Sequence, residues 1–122
     1  MNLLPGELVE PSHHTKVKLR NGGIALSAYP STHADKGAKV NLGIRPEDFV
    51  ETNEDYAFVG KVDITEARGE VTLLNFATKG DADPVIAKLL GIHAELRHTE
   101  VRLTADPSKV HIFMNGASLL YR

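Results

Sequence analysis

Short alternating, β-branched stretches separated by turn-forming residues run the length of this chain: Leu3 to Val9, Lys16 to Leu19, Ile24 to Ala28, Ala38 to Ile44, Phe58 to Thr65, Val71 to Thr78, Val101 to Thr104 and Val110 to Phe113. Successive side chains of a strand point to opposite faces, so each stretch predicts a half-buried strand, and together they predict an all-β barrel or sandwich. Breakers fall between them at Asn21-Gly22-Gly23, Pro30-Ser31-Thr32, Lys79-Gly80-Asp81 and Asn115-Gly116. Asn-Gly is the pair preferred in a type I′ hairpin turn, which places Phe113 and Ser118 on neighbouring antiparallel strands.

One stretch shows how the pattern ends a strand. Val40, Leu42 and Ile44 lie at period two, and Pro46 then removes the donor needed to extend the ladder. Arg45 therefore sits at a strand end. A guanidinium is costly to bury alone, which predicts a carboxylate partner within the domain, Glu47 or Glu66. The same pattern returns later: Val40, Leu42, Pro46 and Phe49 recur at one constant offset as Val101, Leu103, Pro107 and Val110. Such an echo points to two similar half-barrels.

The stretch from Asp83 to Gly91 pulls two ways. Asp83, Pro84 and Gly91 fit the N-cap, first-turn and C-terminal preferences of a helix. Val85 and Ile86 favour a strand, however, and so short a helix is unstable unaided. Local rules alone favour one or two turns of helix.

Composition narrows the function classes. A chain of 122 residues forms one domain, 1–122, large enough to bury a core without staples. Lys and Arg number 14 against 16 Asp and Glu, with no strong basic footprint, so nucleic acid is not an expected partner. The absence of cysteine excludes disulfides and thiolate zinc sites. Apolar runs are too short to span a bilayer as a helix, and no secretion signal opens the sequence.

Candidate chemistry is sparse. Nucleotide hydrolysis of the phosphate-loop kind needs Gly-x-x-x-x-Gly-Lys-Ser/Thr, and the chain has no such loop. His93, Glu95 and His98 suggest a metal, with His111 and His13-His14 elsewhere, but on a strand His98 would point away from the other two. Ser31, His33 and Asp35 have the residue types of a hydrolase triad without a rigid elbow or oxyanion donors. Glu66 and Glu70 flank Gly69 at a predicted bend, where a glycine with positive φ is sufficient explanation. The aromatics Tyr29, Phe49, Tyr56, Phe58, Phe76, Phe113 and Tyr121 read as core. No catalytic, cofactor or metal site is expected.

Several motifs carry a resemblance, in order, across nearly the whole chain. Gly43-Ile44-Arg45-Pro46-Glu47-Asp48, the opening Met1-Asn2-Leu3-Leu4-Pro5-Gly6, Gly60-Lys61-Val62 with Glu66-Ala67-Arg68-Gly69-Glu70, and the closing Asp106 to Phe113 with Gly116 to Leu119 are similar to the regulatory domain of ATP-binding subunits of sugar, polyol and glycerol-3-phosphate ABC importers, the maltose-importer subfamily. Met114 departs from relatives that carry an aspartate there. The resemblance implies a strand over Pro84 to Lys88, and with Val85 and Ile86 in support the strand is the expectation. The resemblance further implies an OB-fold-like β-barrel of the transport-associated type that is regulatory and dimerising rather than catalytic. It implies an ATPase domain upstream of Met1, which would hold ATP and magnesium. The implied partners are a second copy through the barrel, that ATPase domain, transmembrane permease subunits and, in some members, a cytosolic regulator. The implied location is cytoplasmic, at the inner face of the cell membrane. Gly43, Ile44, Arg45, Pro46, Glu47, Glu66 and Gly69 would be signature residues with structural roles. The alternative from another class is a free-standing small-anion or metabolite-binding barrel similar to molybdate-binding half-barrel proteins. Neither reading identifies a transported substrate.

Overall fold

The computed structural model describes residues 1–12, 14–20, 23–31, 35–77, 84–114 and 117–118. The alternating stretches become strands β1 (Asn2–Glu10), β2 (Thr15–Leu19), β3 (Ile24–Ser27), β4 (Lys39–Ile44), β5 (Val50–Glu51), β6 (Phe58–Arg68), β7 (Val71–Phe76), β8 (Ile86–Leu90), β9 (Glu100–Thr104), β10 (His111–Met114) and β11 (Ala117–Ser118). They form two antiparallel sheets, ordered β11-β10-β4-β1-β2-β3 and β5-β9-β6-β7-β8. The architecture is all-β and OB-fold-like, with its sheets closing on one shared core. Phe113 lies opposite Ser118, as the Asn-Gly pair predicts. The turn residues 115–116 themselves, like 21–22, 79–81 and Asp83, lie outside the described residues. The ambiguous stretch is a strand, displaced slightly to Ile86–Leu90. One strand was not foreseen, β5, because two residues are too few to show alternation.

The internal echo is a repeat of the whole fold. β1 to β5 match β6 to β10, and each half lends its last strand to the sheet of the other. Val50 and Glu51 lie opposite Thr104 and Leu103, while His111 and Ile112 lie opposite Gly43 and Leu42. Even the irregularities recur, since β1 shifts register between Leu8 and Glu10, and β6 between Val62 and Ile64. Gly6 opposite Val40 is matched by Gly60 opposite Val101. Neither glycine has room for a Cβ: it would stand 2.8 Å from the Lys18 carbonyl at Gly6 and 2.9 Å from the Phe58 ring at Gly60.

The core follows from the alternation. Val17, Leu42 and Ile44 of the first half share one core with Val62, Leu74, Ala87, Leu103 and Ile112 of the second, all fully buried. Phe58 joins Phe49 and Phe76, its ring 6.4 Å and 5.1 Å from theirs. Polar seams tie the halves. The Asn2 amide donates to the carbonyls of Ile44 (3.1 Å) and Ile86 (2.8 Å), and its oxygen accepts from the Ile86 N–H (2.8 Å). Ser27 donates to the Val110 carbonyl at 2.6 Å. Exchanged strands and these buried bonds couple the two halves, since neither sheet is complete with one half alone.

Candidate interaction surfaces

The signature residues do not converge on one site. Gly43 lies on β4 beneath Met1 and Phe113, with no space for a side chain, and Ile44 is fully buried. Pro46 opens a single 3-10 turn, Pro46–Asp48, closed by the Asp48 N–H on the Arg45 carbonyl at 2.9 Å. Arg45 and Glu47 are exposed. The expected partner for Arg45 is absent: among the described residues it forms no ion pair, and Glu66 instead accepts from Arg68 at 3.0 Å and Asn75 at 3.2 Å. Among the described residues neither Glu47 nor Glu66 pairs with Arg45, whose side chain lies at an exposed strand end where a guanidinium can remain hydrated. One carboxylate oxygen of Asp48, in contrast, is buried without a hydrogen-bond partner among the described residues.

Glu66 is an interior residue of β6, and the bend lies beyond it at Gly69-Glu70, between Arg68 and Val71. Gly69 has φ +67° and is the first of two loop residues, as in a type II′ hairpin turn. The aromatic reading needs one amendment. Phe113 lies over Gly43 on an outer face, and Tyr56 packs beneath the Arg102 guanidinium at 5.7 Å. Tyr121 lies outside the described residues.

Histidines are dispersed. The His93 ring bonds the Leu90 carbonyl at 2.7 Å and lies 3.7 Å from the Glu95 carboxylate, His98 is exposed, and His111 bonds the Tyr29 hydroxyl at 2.6 Å. Among the described residues no three His, Cys, Asp or Glu side chains gather as metal ligands. Ser31 bonds the Thr15 hydroxyl at 2.6 Å, Asp35 is buried, and His33 lies outside the described residues.

What the fold does assemble is a pair of outer sheet faces. On the first half the rows read Glu10, Lys16, Leu26 and Lys39, Glu7, Lys18, Ile24 across neighbouring strands. Lys18, Arg20 and Lys39, with Pro5, Asn41 and Phe113, line an open groove of about 790 Å³. On the second half the rows read Ile64, Asn75, Ile86; Glu66, Leu73, Lys88; and Arg68, Val71, Leu90. None of these nine residues is buried; Ile64 is 49 % exposed and Leu90 83 %, and Ile92 extends the apolar rim at 75 %. Single-sequence reading misses this face, because its apolar members alternate with core residues and belong to three strands.

These features define an OB-like β-fold with two exposed outer sheet faces. Residues 1–49 match the family described as the MalK OB fold domain. The chain is 38 % identical over 120 residues, 97 % of its length, to the alpha-glucoside transport ATP-binding protein AglK of Rhizobium meliloti, and spans 33 % of that relative. The chain thus resembles the MalK OB fold domain over residues 1–49 and, along nearly its whole length, part of an alpha-glucoside transport ATP-binding protein. The cytoplasmic molybdate-binding protein ModG, in a crystal form with molybdate bound, superposes with TM-score 0.73 over 93 % of this chain and 95 % of its own at 12 % identity. That likeness concerns the fold. Among the described residues no helix is long and apolar enough to cross a membrane.

Proposed function

We propose that this chain is the regulatory domain of a carbohydrate importer's ATP-binding subunit, acting in the cytoplasm as a contact between two such subunits. It carries no chemistry of its own; ATP and magnesium would belong to a separate ATPase domain, and permease subunits and any regulator would be reached through the assembled transporter. The observation that supports this most is the likeness to an alpha-glucoside transport ATP-binding protein, which runs through both half-barrels and is not confined to residues 1–49. In this role Gly43, Ile44, Pro46 and Gly69 maintain the barrel, and Arg45, Glu47 and Glu66 stand on its surface. Sedimentation of the isolated domain from micromolar to millimolar concentration tests the proposal. Reversible self-association is expected, and a monomer throughout would overturn the pairing role. Calorimetry with magnesium-ATP should give no saturable heat, since the phosphate-holding loop is absent.

The groove beside Lys18, Arg20 and Lys39 favours a second reading, small-anion binding. None of the three forms an ion pair among the described residues, although Glu7 stands between Lys18 and Lys39 and offsets part of their charge. Titration with molybdate, sulfate and phosphate separates the readings. Saturable binding lost in Lys18→Ala would favour the anion binder, and absence of heat with all three would remove it.

A further inference from the structure

We infer that the outer face of β6, β7 and β8 is a self-complementary interface that takes a second copy of this chain, with Leu73 near the two-fold axis. This rests on the pairing role proposed above and assigns it to residues. The central row places Leu73 between Glu66 on one neighbouring strand and Lys88 on the other. Side chains directly opposite in adjacent strands share a face about 5 Å apart, so opposite charges flank one leucine symmetrically.

A two-fold axis running along β7, between two facing sheets, exchanges β6 with β8 and leaves β7 over itself. Glu66 then faces Lys88 of the second copy, and Lys88 faces its Glu66. Ile64 faces Ile86, Val71 faces Val71, Leu73 faces Leu73, and Asn75 faces Asn75. Each apolar residue of these rows meets an apolar one and each charged pair meets its opposite, which is what an isologous contact requires. The exception is the corner row, where Arg68 meets Leu90, at the wet rim. Two sheets stacked this way run their strands within about 30° of one another, the ordinary aligned packing. Lys88 is exposed and makes no ion pair within the described residues, so it is available across such an interface. The first half's equivalent face offers no such match: its central strand carries Lys16 and Lys18, which the same operation would set against themselves.

Three strands by three rows cover roughly 300 Å² per copy at ordinary strand spacing. The total falls below the roughly 1,200 Å² of a stable complex, so the isolated domain pairs weakly.

Charge reversal tests the assignment in solution. Lys88→Glu alone sets two like-charged pairs across the axis, as does Glu66→Lys, and each should weaken self-association at least about tenfold. The decisive measurement mixes the two variants. The Glu66→Lys copy carries lysine at both positions and the Lys88→Glu copy glutamate at both, so a mixed dimer recovers both pairs and should form more tightly than either variant forms with itself. Loss of folding cannot mimic recovery in the mixture, and melts of each variant confirm the fold. If the unmodified chain stays monomeric at millimolar concentration, the pairing role fails and this assignment with it. If it associates but neither reversal matters, or the mixture fails to recover, the face is wrong while pairing stands. Association abolished instead by Lys18→Glu would place the contact on the first half.

Discussion

The two halves of this protein solve the same backbone problem and dress the solution differently. β2 and β7 occupy equivalent central positions, and both bury one face: Val17 and Leu19 in the first, Leu74 and Phe76 in the second. Their outer faces diverge. β2 presents Lys16 and Lys18 to solvent, while β7 presents Val71, Leu73 and Asn75. The inner positions are held by packing, where any polar substitution would be costly, whereas the outer positions are free of that demand and can serve a partner. The connecting turns diverge in the same way. Arg45 to Asp48 and Asp106 to Lys109 share a 3-10 turn opened by proline and closed by a bond from the fourth residue to the first, 2.9 Å in one and 2.8 Å in the other. Their end charges are reversed. Asp106 accepts from the Ser108 N–H (2.9 Å) and hydroxyl (2.6 Å), while Arg45 contributes nothing comparable. The turn therefore does not require arginine.

The most severe test of the equivalence lies in the core. Leu42 and Leu103 are matched, fully buried, and each lies opposite the strand lent by the other half. Leu42→Ala and Leu103→Ala should each cost about 2–5 kcal/mol in denaturant melts. A loss at only one site would show that the halves do not share stability equally. Asn2→Ala should follow, at about 2–4 kcal/mol, because it leaves a buried N–H and two carbonyls around the seam short of partners. Thermal melts should remain a single transition, since the exchanged strands still couple the halves.

Gly69→Ala should cost roughly 1–2 kcal/mol, as φ +67° is unfavourable for a side chain although nothing crowds the site. Chemical denaturation of this variant sharpens the comparison by isolating backbone conformation from packing. The smallest effects belong to the two turns. Arg45→Ala should change stability by less than about 0.5 kcal/mol, as an exposed side chain that forms no ion pair among the described residues. Asp106 differs in kind. The hydroxyl and amide of Ser108 hold its carboxyl below the ordinary range, against an opposing desolvation and with a lesser contribution from Lys109. A depressed folded-state pKa contributes stability that is present above the unfolded value and lost as pH falls through the folded one. Asp106→Asn should therefore be less stable than the parent at neutral pH, and the difference should vanish in acid. A pH series of thermal melts on both proteins measures it.

Much of the architecture was legible along the chain because alternation is a strong local signal. All eight expected strands are present, with ends shifted by no more than a few residues, and the echo of Val40, Leu42, Pro46 and Phe49 identified the repeat. The strand within 84–90 was expected from the family resemblance, with Val85 and Ile86 in support, where the local punctuation alone favoured a helix. Other features were not. β5 exists because β9 accepts it, and two residues carry no period of their own. Arg45 looked costly because burial was assumed for the end of an apolar strand, and Phe113 looked like core because aromatics usually are. The roles of Arg45 and the other signature residues remain proposals that the variants above examine.

Local pattern was enough to establish an all-β chain of alternating strands, the turn glycine at 69, the stop at Pro46 and the lack of a phosphate-binding loop, since each depends on a few adjacent residues and their stereochemistry. Strand order was another matter. Residues far apart in the chain become neighbours when β10 joins β4 and β5 joins β9, and no local preference encodes which strand will lie alongside another. The same holds for the outer faces. Glu66, Leu73 and Lys88 form a row only because three strands pair in one register, and a slip by one residue would turn them all inward. Burial, exposure and complementarity to a partner are properties of that assembled surface, which the linear order of residues does not contain.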